Sequence, residues 1–171
     1  MTTGAELLVD AFDRVREAVQ QTVVGLSAEE LCARLDPAAN SIVWLVWHLA
    51  RVQDDHVADA AGLEQVWLRD GWVGRFDLPL DPKAIGYGHT GEEVAAVRVE
   101  DPRLLVDYYE AVHRQTVEYV RGLRDADFDR IVDRSWDPAV TLGVRLISVV
   151  NDTLMHIGQA QFIRGVLVRA R

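Results

Sequence analysis

Cysteine is almost absent from this chain of 171 residues, in which Cys32 is the only one. A single cysteine allows no disulfide within the chain, so the sequence suits a reducing compartment and we expect a cytoplasmic protein. Nothing in the sequence places Cys32 near a base that could activate its thiol. We therefore expect Cys32 to be a small buried apolar residue and not a nucleophile.

The chain also lacks a long apolar run and an excess of basic residues. Its most apolar stretch, residues 41–52, is interrupted by His48 and Arg51 and is too short to cross a bilayer. The first residues show no basic region followed by an apolar one, so we expect no signal peptide. The formal net charge of -9 would repel phosphate backbones. We accordingly expect neither a membrane nor a nucleic acid as a partner.

Four long segments place apolar residues at helical spacing. They run from Ala5 to Val24, from Asn40 or Ser41 to Ala61, from Asp101-Pro102 to Gly122, and from Val144 to Arg169. The Gly-rich and Trp-rich segment 62–91 separates the second helix from the third and has a helical turn near Val66. No stretch alternates long enough to predict a sheet. The pattern predicts an all-α four-helix bundle, a single domain of residues 1–171 with a long crossover between helices 2 and 3.

Two predicted helices carry side chains that could bind a metal ion. Asp152 and His156 are four residues apart in NDTLMHIGQ, so they project from one helix face. His48 lies on the core-facing stripe of the second helix, and a bundle brings such stripes together. Two imidazoles and one carboxylate leave a coordination position open, as catalytic zinc sites do. From these residues alone, a core histidine that is hydrogen-bonded to a neighbouring polar group is the favoured interpretation of His48, and Asp152 could be a solvated helix residue.

Further residues are candidates for the surroundings of this group. Gln159 follows His156 by three residues and could hydrogen-bond to a ligand, whereas a plain polar contact is an equal alternative. Asp55 could line the mouth of a cavity or belong to a solvated face. Trp44 shares the stripe of His48, and Trp67 and Trp72 could form the wall of a pocket above the metal or pack as ordinary core residues.

The segments SIVWLVWHLARVQDD and NDTLMHIGQAQFIRG, joined by a long crossover, resemble the DinB-like superfamily over nearly the whole chain. That superfamily includes thiol-dependent enzymes such as mycothiol-dependent maleylpyruvate isomerase, whose N-terminal domain is related. The resemblance implies that a histidine of the second helix and a His/Glu-x-x-x-His pair of the last helix bind a divalent metal. His48 and His156 match two of these positions. Asp152 stands where the superfamily more often has His or Glu, so the ligand stays anionic but is one methylene shorter.

The resemblance also implies a function. We expect a metal-dependent enzyme that binds zinc or nickel and uses a low-molecular-weight, mycothiol-like thiol for transfer or isomerisation on a small electrophile. The alternatives are a metal-dependent hydrolase and a stress-related metal-binding bundle without catalysis. Members of the superfamily often pair through their helices, so the resemblance also implies a homodimer.

Overall fold

The computed structural model describes residues 2–170. Its helices are, in chain order, α1 (Gly4–Val23), α2 (Ala28–Cys32), α3 (Ile42–Ala61), α4 (Val66–Arg69), α5 (Trp72–Phe76), α6 (Gly91–Ala96), α7 (Arg103–Arg121) and α8 (Leu142–Arg169). The four long helices are α1, α3, α7 and α8. Both α1 and α3 pack against α7 and α8, and their apolar faces meet in a core around Phe12, Leu45 and Leu146. The predicted all-α four-helix bundle is confirmed.

Capping side chains explain why α1 and α3 begin and end close to the predicted residues. The Thr3 hydroxyl accepts a hydrogen bond from the Glu6 amide, and the Glu6 carboxylate accepts one from the Thr3 amide. Ser41 caps α3 by accepting a hydrogen bond from the Trp44 amide. Gly62 ends α3 in the left-handed conformation that glycine adopts without strain.

The last two long helices begin at slightly different residues from those predicted. The Asp101 carboxylate accepts the Arg103 amide, so α7 starts at Arg103, just after Pro102. Thr141 accepts the Val144 amide, and α8 therefore starts at Leu142, two residues earlier than the apolar pattern indicated.

The crossover between α3 and α7 contains α4, α5 and α6, and it is fastened to the outer side of α3. The Asp54 carboxylate accepts the amides of Val66 and Trp67, each at 2.8 Å. Farther along, Arg51 Nε donates to the Ala84 carbonyl at 3.2 Å. Every residue from Ile42 to Asp54 is consequently buried, where the sequence indicated only one apolar stripe.

One expectation about secondary structure is wrong. The loose stretch before α8 forms a short antiparallel pair, β1 (Ile131–Asp133) and β2 (Val140–Thr141), after a 3₁₀ helix at Asp125–Asp129. Strands of three and two residues are too short to show the alternation by which a sheet is predicted. Within residues 2–170, no helix has the length and apolar character that crossing a membrane requires.

Candidate metal centre

The core of the bundle brings His48 of α3 together with Asp152 and His156 of α8. Val57 of α3 packs in one cluster with Leu146 of α8, so the end of α3 adjoins the start of α8 and the two helices are antiparallel. One ligand atom from each of the three side chains lies within 4.8 Å of the others. The two imidazole rings are 4.5 Å apart between centroids. His48 is buried, whereas the side chains of Asp152 and His156 are each 17% exposed. The group is therefore reachable from one side.

Backbone carbonyls fix the tautomer of both histidines. His48 Nδ1 is hydrogen-bonded to the Ile85 carbonyl of the crossover at 2.5 Å. His156 Nδ1 is hydrogen-bonded to the Asp152 carbonyl, one helical turn before it, at 2.8 Å. A carbonyl can only accept, so Nδ1 carries the proton in each neutral ring. Both Nε2 atoms keep a free lone pair, which is the state that a metal ligand needs.

The Asp152 carboxylate provides the test of whether these residues fit a cation. Its Oδ2 atom is buried and has no hydrogen-bond partner within the described part of the chain. His156 Nδ1 is only 3.3 Å from it, but the proton of that nitrogen is directed to the Asp152 carbonyl. An unsatisfied buried carboxylate oxygen is costly unless a cation or a donor satisfies it. Two imidazole nitrogens and one carboxylate oxygen are a donor set that suits Zn²⁺ and similar divalent ions.

The two histidines have opposite pKa shifts. Burial lowers the pKa of His48 to about 4, although its bond to the Ile85 carbonyl raises it in part. The neighbouring Asp152 side chain raises the pKa of His156, although burial opposes that shift. His48 is thus held neutral at physiological pH, and His156 is the ring at which protons would compete with a metal ion.

Aromatic side chains and a close backbone approach enclose His48. Trp44 stacks on its ring at 4.6 Å between centroids, and Tyr87 of the crossover meets it edge-on at 5.6 Å. Gly86 lies directly over the imidazole with a φ of +101°, and a Cβ built there would overlap with His48 Nδ1. Glycine is required at this position both for its backbone conformation and for the space above His48.

This close approach gives a prediction with a matched control. Gly86→Ala and Gly88→Ala each place a side chain at a positive φ, but Cβ meets nothing within 4 Å at Gly88. We expect about 1 kcal/mol of destabilisation in both variants from the strained backbone. Gly86→Ala should lose a further ~1–3 kcal/mol because the crossover or His48 must move. Urea unfolding measures the difference, and equal losses in the two variants would contradict the close packing of the crossover on His48.

The other predicted residues lie at different distances from the group of His48, Asp152 and His156. Trp44 contacts both histidines, with its ring 6.3 Å from that of His156. Gln159 is exposed, and its side chain makes no hydrogen bond to any described residue. Asp55 lies two turns after His48 and accepts a hydrogen bond from Gln65 at 2.7 Å. The roles of Gln159 and Asp55 at the site stay predictions.

Trp67 and Trp72 pack mainly into an aromatic cluster with Tyr108 and Phe76. Trp67 also meets Trp47, which in turn stacks on His89. His89 accepts a hydrogen bond from Trp44 Nε1 at 3.2 Å, so these tryptophans adjoin the site through intermediate residues. Their part in the wall of a pocket stays a prediction.

Sequence reasoning missed the residues that support the site from the crossover. The Ile85 carbonyl could not be found from sequence, because any residue type has a carbonyl. Arg51 and Asp54 lie outside the apolar stripe of α3, so the sequence did not indicate that these charged side chains are buried. A cavity of about 1250 Å³ lies elsewhere, between α2, α5 and α7, and half-buried Cys32 is on its wall. Residues of both charges line this cavity, and none of them is a predicted site residue.

A four-helix bundle with a long crossover and a His-Asp-His group in its core is of the DinB-like class. A family model described as mycothiol-S-transferase matches residues 7–168, and the chain belongs to that family. A crystal structure of a conserved protein from Enterococcus faecalis is similar, with 30% identity, a TM-score of 0.92, and coverage of 98% of this chain and 99% of that one. A DinB-like protein from Bacillus cereus shares the fold at 16% identity and a TM-score of 0.61, covering 91% and 87%. No curated protein matches the chain.

Proposed function

We propose that the protein is a divalent-metal-dependent transferase that activates a low-molecular-weight thiol for attack on a small electrophile. The observation that carries this proposal is the buried Asp152 Oδ2, which accepts no hydrogen bond from any described residue and lies beside two histidines whose Nε2 lone pairs are free. The family description, mycothiol-S-transferase, makes mycothiol the first thiol to test. Zinc and nickel are the ions that we propose for the site.

His48, Asp152 and His156 would hold the ion, which would supply a positive charge that lowers the pKa of a bound thiol. The chain's own residues prepare this chemistry. The Ile85 and Asp152 carbonyls keep both Nδ1 protons in place, and Trp44 covers one face of His48 against water. Asp152 contributes one negative charge, so a divalent ion leaves the group net positive and favours the thiolate over the thiol.

The test is a pH profile of mycothiol addition to monochlorobimane at saturating zinc, with the wild-type protein compared with Asp152→Asn. Asp152→Asn keeps the shape but removes the charge. We expect it to weaken metal binding and to shift the pH at which thiol addition sets in. A chelator should abolish the wild-type rate. Identical profiles, or a rate that the chelator leaves unchanged, would contradict the proposal and favour a metal-binding bundle without catalysis.

Metal affinity should depend on pH mainly through His156. Protons compete with the metal only at an imidazole that can be protonated, and the pKa of His156 is raised whereas that of His48 is about 4. As the pH falls below the pKa of His156, we expect the affinity for zinc to decrease about tenfold per pH unit. A second proton should compete only near pH 4. Calorimetric titration at several pH values measures this slope. A decrease of about a hundredfold per pH unit above pH 5 would mean that two protons compete with zinc, and it would contradict a neutral His48.

We further propose that two copies pair through the outer face of α8. Every exposed residue of α8 between Val144 and Val168 is uncharged, although the chain has a formal net charge of -9. Large apolar side chains lie exposed along this face: Val144, Ile147, Leu154, Met155 and Phe162. Two copies that repel each other elsewhere can approach without charge repulsion here.

We expect a dimeric mass by light scattering at micromolar concentration. Ile147→Glu combined with Phe162→Glu should give a monomer, because each copy would bring carboxylates to the contact. Leu7→Glu is the matched control, since Leu7 is equally exposed but lies on α1. A monomeric wild type would contradict the proposed dimer.

A cytoplasmic location is also part of the proposed function, because a reducing compartment suits both the lone Cys32 and a free thiol cosubstrate.

A further inference from the structure

Residues 82–89 of the crossover, which we call the strap, are attached to the bundle by side chains. The backbone-to-backbone hydrogen bonds of the strap in the described part of the chain are local. The Ala84 amide donates to the Asp81 carbonyl, and the His89 amide donates to the Gly86 carbonyl. The hydrogen bonds between the strap and the helices come from four side chains of α3 and α4: Trp44, His48, Arg51 and Trp67. The orientation of the strap carbonyls therefore depends on these side chains.

Arg51 and His48 bind consecutive carbonyls of the strap. Arg51 follows His48 by three residues on α3, so the two side chains are neighbours on one side of the helix. Arg51 Nε donates to the Ala84 carbonyl at 3.2 Å, and His48 Nδ1 donates to the Ile85 carbonyl at 2.5 Å. Together, the two hydrogen bonds fix the peptide units on both sides of Ile85.

The strap itself does little to hold the Ile85 carbonyl in this direction. That carbonyl belongs to the peptide unit between Ile85 and Gly86, and glycine gives such a unit wide rotational freedom. The preceding peptide unit, whose carbonyl Arg51 binds, is the nearest fixed point. Without the Arg51 bond, His48 would be the only side chain that still binds the strap between Pro82 and His89 in the described structure.

The surroundings of Arg51 fix the direction in which its Nε donates. The side chain is fully buried, its Nη1 lies 3.6 Å from the Asp54 carboxylate, and its guanidinium lies over the Trp67 ring at 4.8 Å from the centroid. Nη1 also donates to the Gln65 side chain at 2.9 Å. Nη2 has no hydrogen-bond partner within residues 2–170, and a buried charge with an unused donor is costly. Costly buried groups are expected where a functional site requires them.

We propose that Arg51 is a positioning residue of the candidate metal centre. By holding the Ala84 carbonyl, it keeps the Ile85 carbonyl on His48 Nδ1, and so keeps the lone pair of His48 Nε2 free for the ion. When the Ile85 carbonyl moves away, no other described group accepts the Nδ1 proton. The proton can then occupy Nε2, where it excludes a metal. The inference rests on the proposed function for the presence of the ion, whereas the state of His48 can be measured without it.

The test compares the wild-type protein with Arg51→Lys and Asp81→Ala, first without metal. Lysine keeps the positive charge near Asp54 but has a methylene group in place of Nε, so it loses the bond to Ala84. Asp81→Ala is the matched control, because it removes a different hydrogen bond to the strap, in which the Lys83 amide donates to the Asp81 carboxylate at 2.8 Å. Long-range proton–nitrogen NMR spectra of protein labelled at the histidine nitrogens show which nitrogen of the His48 ring carries the proton.

We expect His48 to carry its proton on Nδ1 in the wild type and in Asp81→Ala. In Arg51→Lys, a second population with the proton on Nε2 should appear. The zinc affinity of Arg51→Lys should fall about 10–100-fold, the usual effect of losing a group that orients a ligand from outside the coordination shell. A substitution that only destabilised the fold would leave the Nδ1 proton in place in the folded molecules. The NMR result therefore distinguishes positioning from stability.

A His48 ring that stays protonated only on Nδ1 in Arg51→Lys would overturn the inference, and so would a zinc affinity equal to that of the wild type. If Arg51→Lys does not fold, Arg51→Met combined with Asp54→Asn removes both buried charges together and leaves neither unpaired. The same change of the His48 proton is expected there. If the wild type binds no zinc, the proposed function fails, and the NMR result on the metal-free protein still decides whether Arg51 positions His48.

Discussion

Replacing His156 with Ala is expected to lower the affinity for zinc by more than about a hundredfold, because groups outside the coordination shell already account for ~10–100-fold. His156 supplies one of only three ligand atoms that come together in residues 2–170. Its loss would leave one buried imidazole and one carboxylate, which cannot complete a tetrahedral site without additional ligands. The side chain is half-buried at the edge of the core, so the helical circular dichroism signal should change little. Calorimetry and elemental analysis of the metal-loaded protein measure the effect.

His56→Ala is the control for this prediction. His56 lies on the same helix as His48, two turns farther on, and does not belong to the three-residue group. It should bind one zinc ion per chain with wild-type affinity. If both variants lost zinc equally, or neither did, the assignment of His156 as a ligand would be wrong.

Asp54→Ala is expected to reduce the free energy of unfolding by about 3–5 kcal/mol, the usual cost of breaking a buried ion pair from one side. Both Asp54 and Arg51 are buried, and their charged groups are 3.6 Å apart. Asp54 also accepts the Val66 and Trp67 amides and the Tyr108 hydroxyl at 3.0 Å. The substitution would leave the Arg51 charge without its buried counter-charge and three hydrogen-bond donors without their acceptor. It would also release the start of the crossover from α3.

The comparison variant is Asp10→Ala, which removes an aspartate that also pairs with an arginine but on the exposed side of α1. No measurable loss is expected there, because exposed ion pairs contribute little. Chemical denaturation of both variants gives the two values. Similar losses at the two positions would show that the crossover is not fastened through Asp54.

The four helices and the grouping of His48, Asp152 and His156 were predictable because both depend on local spacing. Apolar residues repeat along α1 and α7, and Ser41 and Gly62 mark the ends of α3. Asp152 and His156 are brought to one face by four residues of helix, whatever the rest of the fold does. His48 needed only that its stripe face the bundle core.

The path of the crossover could not be predicted, because it depends on bonds between residues far apart in sequence. Arg51 reaches Ala84, and Ile85 reaches back to His48, over 33 and 37 residues. Those bonds bury the polar side of α3, so the apolar stripe of the helix gave no sign that Arg51 and Asp54 are buried. Trp67, for which the sequence left both a pocket wall and an ordinary core position open, is held by its amide to Asp54 and packs on Tyr108.

The most direct test of the account is anomalous diffraction from a crystal of the zinc-loaded protein, measured on both sides of the zinc absorption edge. The account predicts one strong peak per chain within bonding distance of His48 Nε2, His156 Nε2 and an Asp152 carboxylate oxygen, with both Nδ1 atoms still on their carbonyls. Zinc only on surface side chains, or no peak between these three residues at saturating zinc, would contradict the central claim.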